Sequence, residues 1–393
     1  MEQQKKYIYK IEDFLKSSLS SNTNLEIKLN SNQISDSGAL GLCCVLADLT
    51  NIQNLSFDLS FNQIGLKGAS GLGFALANCA NLYNLKLDLS NNLIGQQGIA
   101  GVCFFLSKCI KLSNLTLNLK KNKILAQGAT YLGSNLALCN NIQNIILDLN
   151  HNELGDDGVS GLGLALANKG SILNVNFDLS FNLIGVNGVQ SLGNALTKCY
   201  NIQNLTLELS YNQISDEGSK TLASMIAKCS NLQILKLYMR NNQVSRQGAQ
   251  EIGSQLSKCT NLKILTLNLF DNNVDSQGAL NLCIALANLK KLYILAFNLQ
   301  QKLTLLITKI FFQVIKNKQK TKKKKQNKKR NEKYFFYSII LYRINQNIFI
   351  TNQKEKLNHR IIQIQIKKEF YQDEQFDSQK YQFMIKNFVC MFY

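Results

Sequence analysis

The chain has 393 residues, with 44 Lys and Arg against 25 Asp and Glu for a formal charge of +19, eleven cysteines, two histidines, and no proline or tryptophan. The positive charge is local: residues 301–393 hold 21 Lys and Arg and 6 Asp and Glu, which leaves only +4 for residues 1–300 and excludes a uniformly basic, nucleic-acid-coating surface there. No run of 18 apolar residues occurs, so no membrane-spanning helix is expected.

The start, MEQQKKYIYKIEDF, lacks the apolar stretch of a secretory leader. Between Tyr7 and Leu19 the apolar residues Ile8, Ile11, Phe14, Leu15 and Leu19 fall at helical spacing. Residues 1–20 are therefore expected to form a helical cap over the first repeat.

From residue 21 to about residue 290 the chain repeats every 30 residues, nine times, without insertion or deletion. Asparagine fills one column from Asn32 and Asn62 to Asn242 and Asn272, and glycine another from Gly38 and Gly68 to Gly248 and Gly278. A tenth unit begins at Lys291 and decays, with Lys302 and Thr308 in those columns. Each unit has two halves. Leu55, Phe57 and Leu59 alternate with Ser56, Asp58 and Ser60, the period of a half-buried strand. Ala69, Leu72 and Leu76 come after Gly68 at helical spacing. One strand and one helix cannot bury both apolar faces alone; stacked copies can, as a solenoid with a concave parallel sheet and convex helices. The Asn column suits buried amides bonded to turn backbone, and the Gly column a positive φ or a close approach. Small residues at Gly73, Gly133 and Gly193 let neighbouring helices pack closely.

Phe57-Asp58-Leu59-Ser60-Phe61-Asn62-Gln63-Ile64 resembles the leucine-rich-repeat core LxLxxNxI, and Gly68-Ala69 with Leu72 and Leu76 resembles the helical half of ribonuclease-inhibitor-type repeats, over residues 21–300. The resemblance implies an α/β horseshoe that binds a protein partner through its concave face and is not an enzyme. The unit here is 30 residues rather than 28–29, with Leu55 as a third inward position. Ran GTPase-activating proteins also resemble this repeat type, so regulation of a small GTPase is the alternative function; their acidic C-terminal stretch has a basic counterpart here.

Six cysteines form one column, Cys79, Cys109, Cys139, Cys199, Cys229 and Cys259, each after a helix. Packed helix axes lie ~8–10 Å apart, beyond the roughly 7 Å that a disulfide spans between Cα atoms, so buried thiols in a reducing compartment are expected. His151 and His359 have no nucleophile or ligand at a recognisable spacing, no phosphate loop is present, and neither cofactor nor metal is expected.

The outward strand column reads Lys28, Asp58, Asp88, Asn118, Asp148, Asp178, Glu208, Tyr238, Asn268 and Asn298. Adjacent strands lie ~4.8 Å apart, so Asp148, Asp178 and Glu208 are neighbours of like charge. That is either a solvated acidic face, partly offset by Lys86 and Lys120, or a surface for a basic partner. A second column at the strand exit carries Phe61, His151, Phe181 and Tyr211, aromatics of the kind that anchor interfaces. Tyr238, Arg240 and Phe270 give the last repeats a basic-aromatic character. These twelve residues (Asp58, Phe61, Asp88, Asp148, His151, Asp178, Phe181, Glu208, Tyr211, Tyr238, Arg240 and Phe270) form the expected partner face.

Beyond the repeats, 301–315 reads as a C-terminal cap and 316–333 as a Lys-rich run offering nucleic acid or an anionic membrane surface as alternative partners, or a nuclear-import signal. Residues 301–393 contain no Ala, Gly or Pro, as translated AT-rich non-coding sequence would, and 316–393 are expected to be irregular. A monomeric cytoplasmic protein is the expectation.

Overall fold

The computed structural model describes residues 6–166, 170–299 and 338–341. Contacts divide the chain into Met1–Arg343 and Ile344–Tyr393, and every described residue lies in the first unit. The expected cap at 301–315, the Lys-rich run, His359 and the rest of the tail apart from 338–341 lie outside the described residues.

Strand and helix alternate through the unit. The strands are β1 Lys6–Ile8, β2 Asn24–Lys28, β3 Asn54–Asp58, β4 Asn84–Asp88, β5 Asn114–Asn118, β6 Asn144–Asp148, β7 Asn174–Asp178, β8 Asn204–Glu208, β9 Ile234–Tyr238, β10 Ile264–Asn268, β11 Ile294–Asn298 and β12 Ser338–Leu341. They form one parallel sheet in chain order. The helices are α1 Ile11–Leu15, α2 Asp36–Ala47, α3 Leu66–Ala77, α4 Gly95–Val102, α5 Leu125–Leu138, α6 Gly155–Leu162, α7 Val186–Thr197, α8 Ser215–Ile226, α9 Arg246–Leu256 and α10 Ser276–Leu286; α4 and α6 run on into 3-10 turns at Cys103–Ser107 and Gly163–Leu166. From β2 to β11 each strand pairs with its equivalent 30 residues away without slippage, Asp148 with Asp178 and Asp178 with Glu208 among them.

The core is the stack of inward columns. Leu55, Phe57 and Leu59 are buried, as are Leu72 and Leu76 of the facing helix. Burying a side chain such as Phe57 contributes roughly 1.5–3 kcal/mol, and only the neighbouring repeats supply the apolar surface that does it.

The Asn column closes each turn. Asn62 Nδ2 donates to the carbonyls of Leu29 (3.0 Å), Leu59 (2.9 Å) and Ser60 (3.2 Å). Its Oδ1 accepts from the amides of Asn32 (3.0 Å) and Ile34 (2.9 Å). One side chain thus satisfies backbone groups of its own repeat and of the preceding one. A second asparagine column, absent from the sequence expectation, lines the strand entries: Asn84 Nδ2 donates to Asn54 Oδ1, Asn114 to Asn84, and onward to Asn204. A third ties the loops before the strands, as Asn81 does with the Thr50 carbonyl (3.0 Å).

Helix starts follow a cross-repeat pattern, except after Arg246, where Asp275 is extended with no aspartate in the preceding repeat. Where a repeat carries Asp36, Asp156 or Asp216, its carboxylate accepts from the amide of Gly65 (2.7 Å), Gly185 (2.6 Å) or Ser245 (2.6 Å) in the next repeat, whose backbone there is extended. Where Leu66, Gln96, Ala126 and Val186 replace the aspartate, the next repeat turns left-handed instead, at Gly95, Leu125, Gly155 and Ser215. Each of those amides then reaches a carbonyl of the following repeat, from Asn122, Asn152, Asn182 and Asn242 respectively. A buried N–H must be satisfied, and the neighbouring residue decides by whom.

One expectation changes, and another is narrowed to one of its two alternatives. Residues 7–19 are not one helix: Lys6–Ile8 pairs with β2, covering part of an otherwise open edge, and only Ile11–Leu15 is helical, with Phe14 and Leu19 buried and Leu15 exposed. The Gly column is not a positive-φ column. Gly68 lies inside the first helical turn, and a Cβ there would meet Asp36 Oδ1 at 2.8 Å and the Ala39 Cβ at 2.9 Å, so close approach alone is the reason. The small residue at Gly73 behaves as expected, since a Cβ would lie 2.0 Å from the Gly101 carbonyl oxygen of the next helix.

The column cysteines are buried thiols, and none of the ten described cysteines is in a disulfide. Cys79, Cys109, Cys139, Cys199 and Cys229 point to the helix end of the preceding repeat, Cys199 Sγ to the Leu166 carbonyl (3.0 Å) and Cys139 to that of Leu106 (3.2 Å). Burial pushes Cys79 and Cys259 up to about 12 and Cys229 to about 11, so they pack as small apolar groups and not as nucleophiles.

Asn182 is fully buried, and its Oδ1 accepts from the amides of Asn152 (3.0 Å) and Leu154 (3.3 Å). Asn182→Leu strands both donors and is expected to destabilise the protein by roughly 2–5 kcal/mol in denaturant unfolding. The exposed Asn194→Leu is expected to be near neutral in the same measurement.

Candidate functional site on the sheet face

The outward columns of the sheet bring two rows together, one of carboxylates and one of aromatic rings. The carboxylate row runs over β3 and β4 with Asp58 and Asp88, and over β6, β7 and β8 with Asp148, Asp178 and Glu208; Asn118 on β5 separates the two groups. All five are half-buried. Each has a local task that the alternating pattern did not disclose. Asp58 Oδ1 accepts from the Ser60 amide (3.0 Å) and hydroxyl (2.7 Å), and Asp88 treats Ser90 in the same way. Asp148 accepts from the Asn150 amide (3.0 Å), Asp178 from that of Ser180 (3.0 Å) and Glu208 from that of Ser210 (2.9 Å). The acceptor at i and the small polar residue at i+2 were the available signal.

That task does not require a charge. Asn118 Oδ1 accepts from the Lys120 amide (3.1 Å) and Asn268 Oδ1 from the Phe270 amide (3.0 Å) in the same column. Among the described residues no Lys or Arg forms an ion pair with Asp148, Asp178 or Glu208; the ion pairs described are Lys28–Glu26, Arg240–Asp271 and Arg246–Asp275. Burial raises the Asp148 and Glu208 carboxyls above their ordinary range, and the charge of Asp178 adds to both, against the hydrogen bonds that lower them and, at Asp148, the nearby charge of Lys120.

The second row lies at the strand exits. His151 stacks on Phe181 with ring centroids 4.2 Å apart and 13° between planes, and Phe181 stacks on Tyr211 at 4.2 Å and 12°. Arg240 continues the row, its guanidinium 5.1 Å from the Tyr211 ring centre and 5.0 Å from that of Phe270. Asp271 holds it there, accepting from Arg240 Nε (2.8 Å) and Nη2 (2.5 Å). The row therefore steps back one residue in the repeat, from the column of Tyr211 to that of Arg240 and Phe270. Arg240 and Phe270 of the last repeats thus join the rings of the earlier ones in one ladder beside the carboxylates. Burial and then the charges of Lys121 and Lys120 lower the His151 imidazole, which favours a neutral ring in the stack.

The backbone produces this row. His151, Phe181 and Tyr211 have φ between 56° and 58°, and Phe61, Asn91, Lys121, Asn241 and Asp271 share the left-handed turn. The conformation costs a residue with a Cβ about 1–2 kcal/mol and is imposed by the Asn-closed turn. Phe61 stays apart: it is 61% exposed, and Asn91 and Lys121 occupy the positions between it and His151. Tyr238 is the partner of Glu208 in the β8–β9 register and extends the carboxylate column as a half-buried aromatic.

A shallow groove of about 220 Å³ also runs along the entry of the first strands, lined by Asn54, Ser56, Asn84 and Lys86 among others. Among the described residues no three His, Cys, Asp or Glu side chains are grouped to hold a metal, and no helix is long and apolar enough to cross a membrane.

The model of the Leucine Rich repeat matches residues 21–43, 54–73, 145–163, 201–223 and 260–283, each segment lying in phase with the 30-residue columns. Together with the unbroken strand–helix register, this makes the chain an α/β leucine-rich-repeat solenoid. Comparison with curated protein sequences gives no match. Among solved structures the chain is similar to the crystal structure of an internalin from Listeria monocytogenes, at 18% identity over 74% of this chain and 88% of that one, with a TM-score of 0.37.

Both rows can be tested by stability. For Asp148 and Glu208 the folded pKa lies above the unfolded one, so their ionisation opposes folding above the folded pKa and this penalty disappears as pH falls towards the unfolded value. The double variant Asp148→Asn/Glu208→Gln, which keeps both amide hydrogen bonds, is expected to be more stable than the parent at pH 7, with the difference closing as pH falls to 4 in denaturant titrations. For the ladder, Asn tolerates the left-handed turn better than Phe does. Phe61→Asn is expected to leave stability unchanged or raise it by up to about 1 kcal/mol. Phe181→Asn breaks two stacks and is expected to lower stability by about 1–2 kcal/mol in the same assay.

Proposed function

We propose that this chain is a ribonuclease-inhibitor-like leucine-rich-repeat binding module. In this reading it docks a protein partner of positive surface charge on the sheet face, over β6 to β10. The observation that carries the reading is the carboxylate row. Where only the fold is served, an asparagine does the work, as at Asn118 and Asn268; at Asp148, Asp178 and Glu208 the charge is extra, half-buried and unmatched by an ion pair among the described residues. Charge kept where it costs burial and repulsion fits a cation supplied from outside. The ladder beside it supplies the rigid aromatic contact area that anchors interfaces. The ten described cysteines, none in a disulfide, fit a reducing compartment, and the cytoplasm is the location we propose.

The test is affinity capture from the source cells with the full chain as bait, beside two variants, Asp148→Asn/Asp178→Asn/Glu208→Gln and Phe181→Ala. The partner recovered by the parent is expected to be lost from both and to elute with salt. Equal recovery by all three baits would remove the sheet face from consideration.

A further inference from the structure

The two rows run side by side across the strands, and their spacing restricts what can lie along them; if the sheet face is where a partner docks, as proposed, that spacing specifies the partner's shape. Successive carboxylates are one strand apart, ~4.8 Å, and successive ring centres are 4.2 Å apart. Residues on one face of an extended partner strand recur every ~6.7 Å, so such a strand laid along the rows falls out of step by about 2 Å at each repeat. An α-helix laid along them presents a stripe that recurs every ~5.4 Å, within about 0.6 Å of the carboxylate spacing, and stays in step over the three carboxylates.

The rows are also separated suitably for one helix. Asp148 and His151, Asp178 and Phe181, and Glu208 and Tyr211 are each three residues apart across the strand exit, which places the rows on the order of 7–10 Å apart, comparable to the ~10 Å width of a helix with its side chains. A helix seated between them turns one stripe to the carboxylates and the adjacent stripe to the rings. The first stripe must be cationic, because the row is anionic and lacks an ion pair among the described residues. The second must be apolar, because the ladder presents ring surface whose own cation, Arg240, is already held by Asp271. Phe181, 38% exposed in the middle of the stack, leaves ring surface for such a contact.

We propose that the occupant of this face is an amphipathic helix with a Lys/Arg stripe at i, i+4, i+7 and an apolar stripe one residue further on, lying across β6 to β9 with its basic stripe on Asp148, Asp178 and Glu208. The asymmetry of the rows explains why neither row alone suffices. The carboxylates set attraction and salt dependence, and the rings set the rotation of the helix about its own axis.

The full chain is titrated, by fluorescence anisotropy at two salt concentrations, with a labelled capped peptide of about 18 residues that carries those two stripes on an Ala/Gln background. The comparisons are a scramble of the same composition, the striped peptide with a central proline, and a peptide of residues 316–333 of this chain. The striped helix is expected to bind at least about tenfold more tightly than each of the three. Asp148→Asn/Asp178→Asn should weaken it at least about tenfold and flatten its salt dependence; Phe181→Ala should weaken it without altering that dependence. Equal binding of the scramble, the proline peptide or the 316–333 peptide would overturn the helix, as would no binding of the striped peptide. If capture of a cellular partner still depended on the face after such a result, the sheet-face reading would stand and only the helical occupant would fall.

Discussion

The structure depends on one hydrogen-bonding pattern, the asparagine side chain that closes the turn after each strand. Asn62 and its equivalents bond backbone of two repeats at once. No repeat can therefore shift against its neighbour without stranding buried donors, each worth about 1–3 kcal/mol. Leucines and phenylalanines stacked in columns would tolerate slippage better, because apolar burial is not directional. The asparagines convert an apolar stack into one with a fixed register, and so align every outward column into a straight row.

That register has a local cost which the molecule turns outward. Closing the turn forces the residue before each asparagine into the left-handed region, from Phe61 to Asp271. A glycine would sit there without strain, yet the chain places Phe61, His151, Phe181 and Tyr211 at four of these positions. Three of the four recover stabilisation by stacking on one another, and Arg240 and Phe270 extend the stack from the adjacent column. The ladder is thus a product of the turn geometry, and its rigidity is inherited from the core.

Much of this was legible in the sequence because it repeats. The alternation of Leu55, Phe57 and Leu59, the helical spacing after Gly68 and the asparagine column marked strand, helix and turn, since each is a pattern of period two, of helical period or of thirty. What escaped were relations between unlike residues in different repeats. Asp36, Asp156 and Asp216 each hold the amide 29 residues later, a link visible only once the next repeat's amide is placed beside the carboxylate. The acidic column read as a free charged face because Asp58 and Ser60 look like ordinary alternation, whereas they are bonded to each other. The N-terminal segment misled for another reason: Ile8 and Phe14 fit a helix, but the open sheet edge takes residues 6–8 as a strand. The step from Tyr211 to Arg240 is a matter of side-chain reach, which no column records.

In the proposed reading, the two rows divide the requirements of recognition between them. Near Asp148, Asp178 and Glu208 the fold needs an acceptor and the chain supplies an acceptor with a charge, held on strands whose positions are fixed by the core. Beside them, Asp271 fixes Arg240 between two rings and so removes the most flexible member of the ladder from competition for the carboxylates. Held by Asp271, Arg240 extends the aromatic stack from the Tyr211 ring to that of Phe270. For the partner proposed above, preorganisation of this kind lowers the entropy that binding must overcome, which is how a face without a deep pocket would select for charge, shape and orientation together.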